Sequence, residues 1–235
     1  MRYLINQPRG LGDILFCEPL ARHLIEKDNS EVIWVIHDEF YWIQEYIPYI
    51  QFKKTSQYPI DFEKDSFGEY DGMQFLPLRF ANPIVRNLSS KYDCSDQLHT
   101  MLDKYRLLNL STDLWKTLKW NRNFQKENLL YNLLNLQEPY ILINEYFSGG
   151  KIDINLENDF ANKVYMTNIP GYTLLDWSKI IENAEEIHTV STSNLFMIET
   201  LPIKATKIHI YNRTPIDTNL DGIREFVNPK FILHE

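Results

Sequence analysis

Apolar and polar positions along the chain follow two rhythms. Residues 1–6 form a short apolar run of strand length, and from Gly12 to about Lys27 the apolar Ile14, Leu15, Leu20, Leu24 and Ile25 recur at helical spacing. Val32–Ile36 is then a continuous apolar run, the pattern of a strand covered on both faces. A strand, a crossover helix and a second strand predict a parallel pair. Further strands are predicted at Ile50–Lys53 and Met73–Leu76. A helix follows from about Ser95 to Leu108, with Ser95 as cap and Leu98, Met101, Leu102 and Tyr105 on one face.

Residues 109–126 carry polar and Trp positions (Trp115, Trp120) without a sustained period, and a helix around Glu127–Leu136 precedes Pro139. A second series then begins. Strands are predicted at Tyr140–Ile143, Lys163–Met166, Glu186–Val190 and Lys207–Tyr211, with helices at Leu174–Asn183 and from Ser193 to about Leu201. The fold class predicted is α/β, two small Rossmann-like parallel-sheet halves facing a cleft. The expected division is an N-terminal half over 1–111, a linker over 112–126 and a C-terminal half over 127–235. Ligands are expected at the carboxyl ends of the strands.

Length and composition agree with two lean halves: 235 residues, 44% hydrophobic and 14% aromatic, can bury a core without fibrous or disordered character. The net charge of −8 is opposite to the basic footprint of a duplex-binding protein. Two cysteines, Cys17 and Cys94, are too few for a disulfide framework or a four-ligand zinc site, so reduced thiols are expected. The first apolar run is broken by Pro8, Arg9 and Gly10, and no stretch reaches the roughly 18 apolar residues of a spanning helix. The expectation is a cytoplasmic protein without a transmembrane segment.

Candidate chemistry concentrates in two loops. Gln7-Pro8-Arg9-Gly10-Leu11-Gly12-Asp13 joins the first strand to the first helix, where Gly12 permits close backbone approach and the helix start favours an anion. The third glycine of a dinucleotide fingerprint is absent, which argues against a simple Rossmann dehydrogenase, and the Gly-Lys-Ser/Thr of a phosphate loop is absent as well, which excludes a P-loop kinase. Asp13 reads either as a first-turn carboxylate or as a general base, and Arg9 either as an acceptor-orienting group or as a surface residue. In the second loop, Ser191, Thr192, Ser193 and Asn194 follow a strand and open a helix, where hydroxyls and backbone N–H groups can hold a diphosphate. Thr173 is placed to cap the preceding helix. Arg213 stands at the carboxyl end of a strand and is a further donor-phosphate candidate.

Gly12-Asp13-Ile14-Leu15 followed by Pro19 and Leu20, with Gly171-x-Thr173-Leu174, the helix to Ala184 and the strand into Ser191-Thr192-Ser193, resembles the heptosyltransferase-like glycosyltransferases of family 9. These are enzymes of the GT-B fold. The resemblance implies transfer of a sugar from a nucleotide-diphosphate sugar, with Asp13 as the catalytic base. It also implies that Lys151, in Ser148-Gly149-Gly150-Lys151, neutralises donor phosphates and that the base lies against the strand end at Met166 and Thr167. The family's second motif commonly reads Asp-Thr/Ser-Gly with a His shortly after; here Ser191 stands at the acidic position, Ser193 replaces the glycine, and Phe196 or Met197 occupies the region of the His.

An inverting transfer to a hydroxyl or glycan acceptor is the function expected, with no cofactor beyond the nucleotide-sugar donor. The chain has no Asp-x-Asp pair and no His/Cys cluster at ligand spacing, so metal independence is expected. Its histidines show no i,i+4 pair, and His188 and His209 read as strand residues rather than ligands. Two alternatives accompany this reading. One is a phage-type enzyme acting in a host cytoplasm on hydroxymethylated DNA bases, which needs Arg79, Arg86, Lys91, Lys104 and Arg106 in one basic strip. The other is a non-catalytic nucleotide-sugar-binding module.

Overall fold

The computed structural model describes residues 1–58, 60, 66–79, 97–156, 162–213 and 231–234. The chain divides into two compact units, Met1–Asn121 and Arg122–Glu235. Cys94, Ser95, Arg86 and Lys91 lie outside the described residues.

In the first unit, β1 (Arg2–Asn6) passes through α1 (Leu11–Asp28) to β2 (Glu31–Ile36), the parallel pair that the apolar pattern predicts. A short helix α2 (Ile43–Tyr46) leads to β3 (Gln51–Lys54), and β4 (Gly68–Tyr70) and β5 (Met73–Leu76) complete the sheet in the order β3-β2-β1-β5-β4. Only β4 is antiparallel. Its hairpin turns on Asp71 and Gly72, both at positive φ (52° and 70°), the backbone of a two-residue turn whose twist matches the strands. The inner strands are covered on both faces. Leu4, Ile33, Val35 and Phe75 join Ile60 and Met73 in one cluster, while Trp34 points to the opposite face and meets the Phe52 ring at 5.5 Å.

Helix α3 (Gln97–Arg106) presents a buried stripe different from the one expected. Met101, Lys104 and Tyr105 are buried, whereas Leu102 is only half-buried and the Leu98 side chain lies outside the described residues. The stripe turns toward Lys104 because α1 places a carboxylate there. Beyond α3, the Thr112–Thr117 3-10 turn starts on Ser111, whose Oγ accepts from Asp113 N–H at 3.3 Å. Phe16 of α1 gathers Tyr105 edge-on at 5.1 Å and Trp115 stacked at 5.9 Å. Glu18, fully buried, accepts from Arg22 Nε at 2.9 Å, from Lys119 N–H at 2.9 Å and from Tyr49 Oη. Burial pushes the Glu18 carboxyl above the usual carboxylate range, and those donors oppose the rise. A segment without apolar periodicity is thus fixed to α1 by aromatic packing and one buried acid.

The second unit opens with α4 (Phe124–Leu133), three residues earlier than the predicted helix because Asn123 Oδ1 caps it by accepting from Lys126 N–H at 3.0 Å. Strands β6 (Ile141–Asn144), β9 (Lys163–Tyr165), β10 (Glu186–Val190), β11 (Lys207–Tyr211) and β12 (Phe231–His234) form an all-parallel sheet in the order β12-β11-β10-β6-β9. Between β6 and β9, the 146–151 loop is a small hairpin of β7 (Tyr146–Phe147) and β8 (Gly150–Lys151). The predicted helix over 174–183 is a 3-10 turn, Leu174–Trp177, continuing into α5 (Ser178–Asn183). Pro170 and Gly171 make the preceding turn; Gly171 takes φ +86° and Tyr172 N–H donates to the Ile169 carbonyl at 3.0 Å. Thr173 caps as expected, its N–H and Oγ1 both donating to Asp176 Oδ2 at 2.8 and 3.1 Å. Helix α6 (Asn194–Thr200) follows β10.

Arg122 anchors the start of this unit. Its guanidinium donates to Glu127 of α4, with Nε to Oε1 at 2.9 Å, and to Glu182 of α5, with Nη2 to Oε2 at 2.9 Å. Glu127 is 1% exposed, so Arg122→Met strands a buried carboxylate. The expected loss is about 3 kcal/mol of second-unit stability, read by urea unfolding followed in the far ultraviolet. An unchanged midpoint would show that water replaces the guanidinium without penalty.

Candidate active site

In the first unit the β1–α1 loop leaves the carboxyl end of a central strand and enters α1 through Gly10, the N-cap, at φ +81°. A Cβ at Gly10 would stand 2.7 Å from Asp13 Oδ2, so glycine is what lets the Asp13 side chain fold back over the loop. Asp13 lies in the first helical turn. Its partner is Lys104 of α3, whose Nζ donates to Asp13 Oδ1 and, at 3.1 Å, to Gln7 Oε1. The Lys104 side chain is fully buried and that of Asp13 is 24% exposed. The ion pair therefore has a dry cationic end and a wet carboxylate end. Gln7 continues the scaffold: Nε2 donates to the Arg9 carbonyl at 2.7 Å, and its own carbonyl accepts from Trp34 Nε1 at 3.0 Å. Arg9 is exposed and donates from Nε to His37 Nε2 at 3.2 Å. Arg9 in the loop and Gly12 and Asp13 in the first turn of α1 thus share one braced segment.

Cys17 lies one turn below Asp13 and is wholly buried. Burial pushes its thiol up to about 12, with Lys104 pulling it partly back, so it is neutral and unreactive in the folded chain. Lys104 is the residue that sequence reasoning missed. The DNA alternative needs it in a basic strip, whereas its ammonium is enclosed under Asp13, and Arg106 is paired with Asp103 at 2.6 Å. The proposed strip for DNA loses one member to the interior and has another partnered with an acid.

In the second unit the chain runs from β6 outward to β9 and then returns to β10 on the other side of β6, so the strand order switches at β6. Strand carboxyl ends at such a switch form a natural crevice. A cavity of about 520 Å³ opens there, lined by Asn144, Tyr146, Met166, Thr167, Tyr172 and Trp177 among others. Met166 and Thr167, expected to receive a nucleotide base, both line it. Behind it, Thr189 Oγ1 accepts from Asn144 Nδ2 at 3.1 Å and from Asn194 Nδ2 at 2.8 Å, and Thr192 Oγ1 donates to Asn194 Oδ1 at 2.8 Å. Asn194 Nδ2 also approaches Met166 Sδ at 3.9 Å, linking the loop after β10 to the cavity wall. Ser193 is the residue before α6, and the Ser191 carbonyl accepts from Arg213 Nε. The polar groups after β9, β10 and β11 therefore meet along one end of the sheet.

Lys151 stands apart from that group. On β8, opposite Tyr146, it donates to Asp153 Oδ1 at 2.8 Å and sits 3.1 Å from Glu145 Oε2. These carboxylates hold the ammonium above the usual lysine range. A phosphate recruiting Lys151 must compete with them.

No protein-family model matches the sequence, and no curated protein matches it significantly. Among solved structures the chain is similar to the dodecameric iron-containing glycosyltransferase TibC of enterotoxigenic E. coli H10407, with 10% identity, 100% of this chain and 62% of that one covered, and a TM-score of 0.51. It is likewise similar to the dodecameric heptosyltransferase TibC in complex with ADP-D-beta-D-heptose, at 13% identity, 99% and 62% coverage, and a TM-score of 0.51. A glycosyl transferase family 9 protein from Veillonella parvula DSM 2008 superposes with a TM-score of 0.49 at 10% identity, covering 100% of this chain and 86% of that one. This chain spans 62% of the TibC chain's length. Among the described residues no helix is long and apolar enough to cross a membrane. At these identities the likeness is one of fold: the two predominantly parallel α/β sheets have the fold of heptosyltransferase-type glycosyltransferases.

Proposed function

We propose that the chain is an inverting glycosyltransferase that moves a sugar from a nucleotide-diphosphate donor to a hydroxyl acceptor. The observation that carries this reading is the cavity at the β6 and β9 strand ends of the second unit, in a chain whose fold is that of a heptosyltransferase. The donor's base occupies that cavity against Met166 and Thr167. Its diphosphate meets the hydroxyls and backbone N–H groups of Ser191, Thr192, Ser193 and Asn194, with Arg213 beside them. Lys151 contributes once it exchanges a carboxylate partner for phosphate.

Asp13 supplies the base. The acceptor O–H bond breaks as its oxygen attacks the anomeric carbon, the proton passes to the Asp13 carboxylate, and the bond from that carbon to the diphosphate oxygen breaks on the opposite face. Arg9 and the backbone at Gly12 orient the acceptor. Charge on the departing nucleoside diphosphate is met by the loop after β10 rather than by a bridging metal, a reading supported by the lack of an Asp-x-Asp pair.

The cavity assignment has its own test. Thr167 is exposed and lines the cavity, so Thr167→Trp fills space without disturbing the core. Titration calorimetry with nucleotide-sugars is expected to show affinity at least about tenfold weaker, equivalent to about 1.4 kcal/mol, at an unchanged melting temperature. Equal affinity in the variant and the parent would move the donor elsewhere.

A further inference from the structure

On one face of the second sheet, three side chains from neighbouring strands converge. Glu186 and His188 lie two apart on β10, so they share a face, and His188 stands in register with His209 of β11. Glu186 Oε1 is 2.8 Å from His188 Nε2 and 3.2 Å from His209 Nε2, and one ligand atom of each residue lies within 4.8 Å of the others. The two imidazole rings are stacked, 4.3 Å apart and 5° from parallel.

Each ring also has an outer partner. His209 Nδ1 is 2.7 Å from His234 Nε2, and His188 Nδ1 is 2.9 Å from Tyr211 Oη. In the metal-free state His188 Nε2 donates to Glu186 Oε1 at 2.8 Å; moving that proton to Nδ1, toward Tyr211 Oη, frees the Nε2 lone pair and gives the arrangement found around metal-bound histidines. His209 Nε2 is buried and forms no hydrogen bond, although it faces the Glu186 oxygen. Proton-mediated contacts therefore leave the cluster incomplete. Lys207 is the other charged neighbour, 3.9 Å from Glu186 Oε2, with a side chain 59% exposed and able to swing away.

We propose that Glu186, His188 and His209 form a binding site for a borderline divalent transition-metal ion of the Zn²⁺ type, with His234 and Tyr211 as supporting outer partners. Two imidazoles and one carboxylate are a donor set such ions favour, and three protein ligands leave at least one position for water. Binding needs the proton between His188 Nε2 and Glu186 to move to Nδ1 and the two parallel rings to rotate until their lone pairs converge. The site lies toward the amino-terminal half of β10, whereas the proposed donor groups follow its carboxyl end. Its role is to clamp β10 to β11, and it does not depend on the proposed transfer reaction.

The test uses the full, tag-free chain and Zn²⁺ alone. Equilibrium dialysis and thermal unfolding are expected to show one Zn²⁺ per chain and a raised melting temperature. His209→Gln and Glu186→Gln should each weaken uptake by about tenfold or more, while His23→Gln, outside the cluster, leaves it unchanged. Zinc-edge X-ray absorption of the unsubstituted chain supplies a readout independent of how the variants fold, and is expected to show outer-shell scattering from two imidazoles. Absence of uptake, equal uptake by His209→Gln and the parent, or a shell of oxygen ligands alone would each overturn the proposal.

Discussion

Asp13→Asn is expected to lower the glycosyl-transfer rate by about 10²- to 10⁴-fold, the usual contribution of a positioned general base. The substitution keeps an oxygen where Lys104 Nζ donates, so the β1–α1 loop retains its geometry while losing the group that accepts the acceptor proton. Donor affinity should be unchanged, because the residues assigned to the donor belong to the second unit. The variant also has a structural consequence. The Lys104 ammonium, with 0% of its side chain exposed, is left facing two neutral amides, which is expected to cost the first unit about 3 kcal/mol. Activity must therefore be compared at a temperature where both proteins are folded.

Lys104→Met produces the complementary result. Methionine refills the enclosed space with an apolar chain of similar length, and the Asp13 carboxylate, 24% exposed, turns to water. Stability should change far less than in Asp13→Asn, yet the rate is expected to fall by about 10²-fold, because a base displaced by an ångström loses most of its orientational advantage. Lys104 is on this account a positioning residue. The double variant Asp13→Asn with Lys104→Met should regain most of the stability lost in the single Asn variant and no activity. Recovery of activity in the double variant would show that the Asn variant had failed only by unfolding.

The β1–α1–β2 unit could be read from sequence because its run of strand length, helical spacing and second apolar run are all local. The β4–β5 hairpin carries an equally local mark, Asp71-Gly72, whose two residues both take positive φ. Non-local features were less accessible. Lys104 and Asp13 are 91 residues apart, and a lysine on an amphipathic helix looks like surface until the opposing carboxylate is placed. The histidines show no pair at helical spacing along the chain, whereas His188 and His209 meet across strands through register. The 112–121 stretch has no period because a few aromatic contacts and the Glu18 cluster hold it, rather than a repeating face. In the second unit, Thr173 is legible as a helix cap and Met166 and Thr167 follow from the family resemblance, and the strand order explains why they surround an opening.

The most direct measurement is calorimetric titration of the full chain with a panel of nucleotide-diphosphate sugars, followed by competition with the matching nucleoside diphosphate. The account predicts that one donor binds saturably at a single site, that its nucleoside diphosphate displaces it, and that Thr167→Trp weakens both. A chain that binds no nucleotide-sugar at millimolar concentration would contradict it.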